Sequence, residues 1–156
     1  MITVRPAREG DIPAILDLLV QVNMVHHNIR PDLFRGPAVK YSAGDLLFLF
    51  QDPDSPVFVA EAEDGSVLGH CFCQLQQHSD AIFTDARTLY IDDICVDEKC
   101  RGRSVGRLLY HHAVDFARSS GCYNVTLNVW QGNDPAMAFY RNMGMSTQKI
   151  TMEQIL

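Results

Sequence analysis

Apolar residues in the first third of the chain repeat with the period of an α-helix. The repeating positions are Ile12, Ile15, Leu16, Leu19 and Val22. Asp11 can cap the start of this helix and Pro13 suits its first turn, so we predict a helix that fades near His26-His27. A second short helix is predicted over residues 41–50, because Asp52-Pro53 disfavours its continuation.

The period then changes to the two-residue alternation of β-strands. Strands are predicted over residues 2–5, 57–61, 67–76, 87–96, 123–130 and 145–155. Residues 105–116 return to a helical period, and Asp134-Pro135 begins a further helix that Gly144 ends. The order β-α-α-β-β-β-α-β-α-β predicts an α+β (mixed α/β) fold, in which helices flank a central mixed, mostly antiparallel sheet. We expect residues 1–156 to form one domain.

The composition is typical of a globular domain. Of the 156 residues, 47% are hydrophobic and 21% are charged, which excludes a disordered chain. No apolar run approaches the roughly 18–20 residues that a membrane span needs. The first residues lack the basic-then-apolar layout of a signal peptide. We therefore expect a soluble, cytoplasmic protein that does not bind membranes.

Charge is distributed unevenly along the chain. Lys and Arg number 13 against 19 Asp and Glu, a net charge of −6, and the acidic excess lies in residues 1–96. An acidic body disfavours nucleic-acid binding, which needs a broad basic face, and is compatible with a cationic substrate. Residues 97–118 have a basic excess instead, which could serve one compact anion.

The five cysteines form no pattern typical of a metal site. Their number is odd, and Cys71-x-Cys73 has no Cys or His partner at zinc-finger spacing. We expect reduced thiols that pack as small apolar groups, and no bound metal.

The loop before the helix at residue 105 carries the most informative chemistry. It reads Arg101, Gly102, Arg103, Ser104, Val105, Gly106 and Arg107. Backbone N–H groups at a helix start have no intrahelical partner, and the helix dipole adds partial positive charge there. Glycine allows close approach of the backbone to a ligand, and arginine forks onto phosphate oxygens. The loop therefore indicates a pyrophosphate site, although it is neither a Walker loop nor GxGxxG.

This loop resembles the phosphate-binding loop of the GNAT superfamily of acetyl-CoA-dependent N-acetyltransferases, Arg/Gln-x-x-Gly-x-Gly/Ala. Ser104 stands where a central Gly is usual, so a backbone position that needs positive φ would be strained. A second family pattern follows about 30 residues later and is matched by Asn133, Ala136, Phe139-Tyr140 and Gly144. The predicted element order also agrees with this family. The resemblance covers essentially the whole chain and implies acetyl-CoA as co-substrate.

The resemblance also implies roles for individual residues. Backbone groups of Ile94, Cys95 and Val96 would bind the pantetheine arm, residues 101–107 the pyrophosphate, and Asn133 and Ala136 the coenzyme side or the start of the last helix. A splay or bulge in this strand would aim a backbone N–H at the thioester oxygen. Tyr140 matches the general acid of the family, which would protonate the departing thiolate and lie against the coenzyme.

Asp92 and Asp93 are the candidates for the base that deprotonates the acceptor amine. Alternation along a strand allows only one of them to face the cleft, but a bulge would change that assignment, so both stay candidates. No Ser-His-Asp order or GxSxG elbow favours an acyl-enzyme. We expect direct attack of the amine in a ternary complex.

The sequence does not identify the acceptor amine. The acidic charge favours a small cationic amine or a peptide, and a protein N-terminus or lysine is an alternative. A second alternative is a coenzyme-binding regulatory module without turnover. Acceptor loops are expected at residues 23–45 and 76–87, and His26 and His27 are candidates for substrate contact. A homodimer is one option for the assembly.

Overall fold

A five-stranded sheet with the order β1-β2-β3-β4-β5 forms the centre of the computed structural model, which describes residues 1–156. The strands are β1 (Thr3–Pro6), β2 (Val57–Glu61), β3 (Val67–Gln77), β4 (Arg87–Val96) and β5 (Asn124–Leu127). Neighbouring strands from β1 to β4 are antiparallel, whereas β5 runs parallel to β4. A parallel neighbour needs a crossover connection, and the helix between β4 and β5 provides it.

Four α-helices pack on this sheet. They are α1 (Ile12–Ile29), α2 (Ala43–Gln51), α3 (Val105–Ser119) and α4 (Asp134–Asn142). Short 3-10 turns precede α1 at Glu9–Asp11 and α3 at Glu98–Cys100. The predicted α+β fold with a mixed, mostly antiparallel sheet is confirmed. No helix combines the length and the apolar character that crossing a membrane would need.

Two apolar clusters lie on opposite faces of the sheet. Alternation along β3 sends Cys71 and Cys73 towards α3, and Phe72 towards α1 and α2. The residues that α3 buries recur at helical spacing and are Val105, Leu109, Tyr110, Ala113 and Ala117. The sheet is therefore covered on both faces, and ligands must approach from its edges or strand ends.

Asp11 does not cap α1 as we predicted. It stands at the position before the helix, but its carboxylate accepts hydrogen bonds from Arg5 at 2.8 and 2.9 Å and from the backbone N–H of Arg8 at 2.9 Å. Arg5 also donates to Glu61. A buried carboxylate is stabilised far more by a forked guanidinium than by one backbone N–H, so the cap gives way to the ion pair.

The strand predicted over residues 145–155 is wrong. Residues 146–156 are exposed and make no backbone hydrogen bond, and Ile150 and Met152 are 75% and 85% exposed. The strand predicted over residues 123–130 is also shorter, since β5 covers Asn124–Leu127. Apolar alternation reports an amphipathic strand, but a strand forms only where a partner edge offers its backbone groups.

Gly69 in β3 is required by close packing against the start of α3. A Cβ atom added there would lie 2.6 Å from the carbonyl oxygen of Cys95 and 3.2–3.3 Å from Leu109 and Val105. We expect Gly69→Ala to lower the free energy of unfolding by about 2–3 kcal/mol, because β3 and β4 must separate. The control is Gly44→Ala in α2, where the nearest atom is 3.8 Å away. That change should stabilise by about 0.5–1 kcal/mol. Equal thermal midpoints for the two variants would contradict this account.

Candidate active site

The strands β4 and β5 diverge halfway along β4. Their pairing runs from Thr88 opposite Asn124 to Ile91 opposite Leu127, and β5 ends there, whereas β4 continues to Val96. From Asp92 to Val96 the edge of β4 that faces β5 therefore has no strand partner. An open strand edge can accept an extended ligand through backbone hydrogen bonds. The predicted pantetheine-binding residues Ile94, Cys95 and Val96 all lie in this segment.

A β-bulge in β4 lies at the start of this open segment. Phe72 of β3 is opposite Asp93 and the next residue, Cys73, is opposite Ile91, so Asp92 is an extra residue. Strict alternation would have placed Asp92 and Asp93 on opposite faces. The bulge that the sequence left as an option is present, and it changes that assignment.

Both carboxylates find partners on the side of the sheet that α1 and the following loop cover. Asp92 accepts a hydrogen bond from Lys40 Nζ at 2.6 Å and another from the Tyr41 hydroxyl at 3.3 Å. Tyr41 itself stacks on Phe72 with ring centroids 5.4 Å apart. Asp93 lies 2.6 Å from His70 Nε2. The site thus contains two acidic groups, not one.

The two carboxylates differ in charge compensation. The ammonium group of Lys40 neutralises Asp92, and this hydrogen bond helps to raise the pKa of Lys40 although burial opposes it. No lysine or arginine lies within ion-pair distance of Asp93. The side chains of both aspartates are largely covered, at 12% and 13% exposure. Asp93 is therefore the acidic group whose charge is available to a cationic ligand.

Tyr140 reaches the same region from α4. Burial raises the pKa of its phenol well above the usual range, and the nearby Cys71 and Asp93 contribute in the same direction. The hydroxyl therefore keeps its proton at neutral pH, and it forms no hydrogen bond within the protein. Tyr110 and Phe139 pack around its ring, with centroids 6.3 and 5.1 Å away. A phenol in this state can donate a proton to a neighbouring ligand.

The loop from Arg101 to Arg107 has the properties of an anion site. None of its backbone N–H groups donates a hydrogen bond within the protein. They border a cleft of about 480 Å³ that is lined by Arg101, Gly102, Ser104, Gly106 and Arg107, among others. Free amides and guanidinium groups at a helix N-terminus suit a pyrophosphate. The residues present therefore fit the phosphate end of a coenzyme.

Arg103 points away from this cleft. Its side chain lines a separate depression with Met1, Ile2 and Asp64, and its charge contributes to lowering the pKa of Asp64. In the structure Arg101 and Arg107 line the cleft and the Arg103 side chain does not, so contact of all three with a pyrophosphate stays a prediction.

Asn133 has a local role in the structure. Its side-chain oxygen accepts a hydrogen bond from Ala136 N–H at 3.3 Å, which caps α4. The sequence allowed Asn133 to contact either the coenzyme or the start of the last helix, and this hydrogen bond is of the second kind. The cap sets the direction of α4, whose Phe139 borders the phosphate cleft near Gly106.

Ser104 is the only residue other than glycine with positive φ, at 61°. This left-handed conformation costs a serine about 1–2 kcal/mol. We expect Ser104→Gly to leave the thermal midpoint within a few degrees of the parent, because relief of strain is offset by glycine's greater freedom in the unfolded chain. Ser104→Val should lose about 1–2 kcal/mol and bind acetyl-CoA more weakly. Ser104→Ala, which keeps the strain without the hydroxyl, is the control. If the valine and alanine variants are equally stable and bind acetyl-CoA equally well, the backbone strain at Ser104 is not important.

Cys95 is not a candidate nucleophile. Its thiol is buried, lies 3.4 Å from the carbonyl oxygen of Leu18, and has a pKa raised to about 12, mainly by burial. A thiol in this state has almost no thiolate at neutral pH. Cys95 is therefore not suited to accept the acetyl group.

Three residues of the site, Lys40, Tyr41 and His70, were not predicted from the sequence. They come from a loop and from β3, and no local motif marks them.

His26, which was predicted as a candidate for substrate contact, packs on Phe34, and Phe34 packs edge-on against Trp130. Burial lowers the pKa of His26, so its ring is neutral at pH 7 although Asp93 acts against this. These side chains meet only in the folded chain.

Comparisons with known proteins identify the family of this chain. The model of the acetyltransferase (GNAT) family matches residues 23–145. The chain is 36% identical over 96 residues to streptothricin acetyltransferase of Streptomyces lavendulae, which is 62% of this chain and 47% of that protein. It is 32% identical over 92 residues to the peptidyl-lysine N-acetyltransferase YjaB of Escherichia coli, or 59% and 50% of the two chains.

A solved structure extends the likeness to the whole chain. A mutant of the BH1408 protein from Bacillus halodurans is 30% identical, covers 99% of both chains and superposes with a TM-score of 0.93. The matched segments span only 42–58% of the length of the curated relatives. The chain belongs to the acetyltransferase (GNAT) family.

Proposed function

We propose that this protein transfers the acetyl group of acetyl-CoA directly to a primary amine of a small cationic molecule or peptide. The observation that carries the proposal is the divergence of β4 and β5. It opens a gap with Asp93 on β4 and Tyr140 on α4, and the free amides of residues 101–107 lie beyond the end of β4. An open strand edge, free loop amides and two candidate proton-transfer groups in one region support this proposal.

The coenzyme would lie along the open edge of β4. Ile94, Cys95 and Val96 would hold the pantetheine arm through backbone groups, and Arg101, Arg107 and the loop amides would hold the pyrophosphate. When bound, acetyl-CoA supplies an acetyl thioester, an acyl group activated towards amines. A backbone N–H in the bulged segment would stabilise negative charge on the thioester oxygen.

Asp93 would act as the base, directly or through one water molecule. An alkylamine is mostly protonated at pH 7, with a reference pKa near 10.4, so it must lose a proton before it attacks. Asp93 is favoured over Asp92 as the base because Asp92 already forms an ion pair with Lys40. Tyr140 would protonate the thiolate that leaves, since its phenol keeps its proton at neutral pH.

A cationic acceptor follows from the charges of the site. Asp93 has no Lys or Arg partner, and the chain is acidic as a whole. Two of the relatives are named for streptothricin and for peptidyl-lysine, and the side-chain amine of lysine is an ammonium ion at neutral pH. We propose the cationic amine as the substrate class, and lysine or N-terminal amines of proteins as the alternative.

Ligand-dependent stability and turnover test the function together. Acetyl-CoA at about 100 times its dissociation constant should stabilise the fold by about 2.7 kcal/mol and raise the midpoint by several degrees, whereas ATP and acetate should not. Acetyl-CoA consumption is then measured with a polyamine, an aminoglycoside, a lysine peptide and a peptide with a free N-terminus. Tyr140→Phe should keep the thermal shift and lose turnover.

Each other result points to a different function. A thermal shift without turnover on any amine would favour a regulatory module that only binds the coenzyme. Equal turnover by the parent and Tyr140→Phe would remove the acid role from Tyr140. The absence of any shift with acetyl-CoA would contradict the coenzyme site.

We also propose that the protein forms a homodimer in which residues 146–156 pair with the outer edge of β5 of a second copy. The segment is exposed and has a strand-like sequence, and β5 is an edge strand with pairing on one side only. Light scattering should give a dimer for the full chain and a monomer after deletion of residues 146–156. A full chain that is monomeric at tens of micromolar contradicts the proposal.

A further inference from the structure

His70 is a fully buried histidine directly behind the candidate base. It lies in β3, opposite Cys95 of β4, with 0% of its surface exposed. Its Nε2 atom is 2.6 Å from Oδ2 of Asp93, and its ring packs edge-on against Phe72 at a centroid distance of 4.8 Å. His70 therefore reaches the reacting groups only through Asp93.

The other ring nitrogen of His70 determines which protons the pair can hold. Nδ1 is buried and has no hydrogen-bond partner, the only such side-chain atom in the protein. A buried N–H without an acceptor is rarer and more costly than a buried acceptor without a donor. A charged imidazolium, or the neutral tautomer with hydrogen on Nδ1, would leave such an N–H. The arrangement that avoids it is a neutral ring with its hydrogen on Nε2.

This proton arrangement has a consequence for Asp93. If Nε2 donates, then Oδ2 of Asp93 accepts, and the carboxylate is in its ionised form. Oδ1 accepts no hydrogen bond within the protein, because the contact with His70 is the only hydrogen bond that the Asp93 side chain makes. The carboxylate is thus anchored through one oxygen and has its second oxygen available.

We propose that His70 is a positioning residue for acetyl transfer, whose neutral imidazole donates Nε2–H to Asp93 and presents the ionised carboxylate to the ammonium group of the acceptor. This inference rests on the proposed function of Asp93 as base. When Asp93 takes a proton from the amine, that proton does not pass to His70. A second proton on the ring would create the buried imidazolium. Its role is to orient Asp93 and to favour its charged form.

Other titratable groups also face Asp93, so a pH profile must be interpreted against them. Lys40, from the loop after α1, and Asp92, in β4 itself, form an ion pair beside it. His26 from α1 and Tyr140 from α4 are both within reach of its charge. Cys71 and Cys95 keep their protons, since the contact with Cys73 and burial raise the pKa of Cys71, and burial raises that of Cys95. Only substitution at position 70 changes the donor to Oδ2 and leaves these groups in place.

The experiment compares two substitutions of His70. Gln can place its amide N–H near the position of Nε2, so His70→Gln keeps a donor, whereas His70→Leu removes it. We expect His70→Leu to lower kcat/KM for the amine about 10- to 100-fold, the effect of one charge-assisted hydrogen bond. The acidic limb of the pH profile of kcat/KM should move to higher pH, because the carboxylate loses a donor, and His70→Gln should recover most of both effects. Thermal unfolding with acetyl-CoA checks that each variant folds and binds the coenzyme.

A double substitution separates this inference from the proposed function. In the Asp93→Asn background, His70→Leu should change the rate by less than about twofold, because its effect acts through the carboxylate. If Asp93→Asn is slow and His70→Leu is as fast as the parent, only the His70 inference fails. If Asp93→Asn is as fast as the parent, the base assignment fails and the inference falls with it. Equal losses in both His70 variants, with an unmoved acidic limb, would mean that the ring serves packing alone.

Nitrogen NMR of the imidazole provides a readout that does not depend on turnover. We expect His70 to show a protonated Nε2 and a bare Nδ1 at neutral pH. A charged ring, or hydrogen on Nδ1, would overturn the proposal.

Discussion

Replacement of Asp93 by asparagine is expected to lower kcat/KM for the amine acceptor at least about 100-fold. Asparagine has nearly the same shape but cannot take a proton, and Asp93 is the carboxylate of the site without a lysine or arginine partner. Binding of acetyl-CoA should not change, because the phosphate cleft is lined by other residues. Steady-state kinetics over pH 6–9, together with a coenzyme dissociation constant, test this expectation.

Asp92→Asn is the matched control, since the two residues are adjacent and the chemical change is the same. Lys40 and Tyr41 hold Asp92, so its replacement should lower the rate by less than about tenfold. If Asp93→Asn is active and Asp92→Asn is not, the roles are reversed. If both are active, neutral His26 becomes the next candidate for the base.

The second large effect is expected at the phosphate loop. Arg101→Glu should weaken acetyl-CoA binding at least about tenfold, because it removes a charge-assisted hydrogen bond and adds repulsion at the cleft. The fold should persist, since Arg101 is exposed and forms no ion pair in the protein. Isothermal titration with acetyl-CoA measures the effect.

Arg103→Glu provides an internal comparison with the same change of charge two residues away. Its side chain lies beside Asp64 on the other side of the loop, so we expect a change of less than about threefold. Equal losses in the two variants would mean that the loop attracts the coenzyme through its overall charge. Equal affinity of the parent and Arg101→Glu for acetyl-CoA would contradict the assignment of this loop as the phosphate site.

The parts of the site that lie in one continuous segment could be predicted from the sequence. The loop from Arg101 to Arg107 and the helix that follows it are local features, because glycine conformations, helix starts and arginine charge depend on neighbours in the chain. Tyr140 follows from a motif on one helix. The strained Ser104 was also expected, since its neighbours in the loop call for positive φ and the structure has it at 61°.

Features that depend on pairing could not be predicted in this way. The bulge at Asp92 is a property of the register between β3 and β4, and it alone places two adjacent carboxylates on one side of the sheet. The contact of His70 with Asp93 joins residues 23 positions apart. The strand expected over residues 145–155 failed for the same reason, because alternation does not say whether a partner edge is present.

The sequence by itself determined the class of fold, a loop with the features of an anion site and a short set of candidate acids and bases, because periodicity, helix starts and residue chemistry are local. Only the tertiary structure decided how these groups act on one another. It paired Asp92 with Lys40, left Asp93 to His70, and turned Arg103 away from the cleft. Charge compensation and burial depend on distances between residues far apart in the chain, and folding sets those distances.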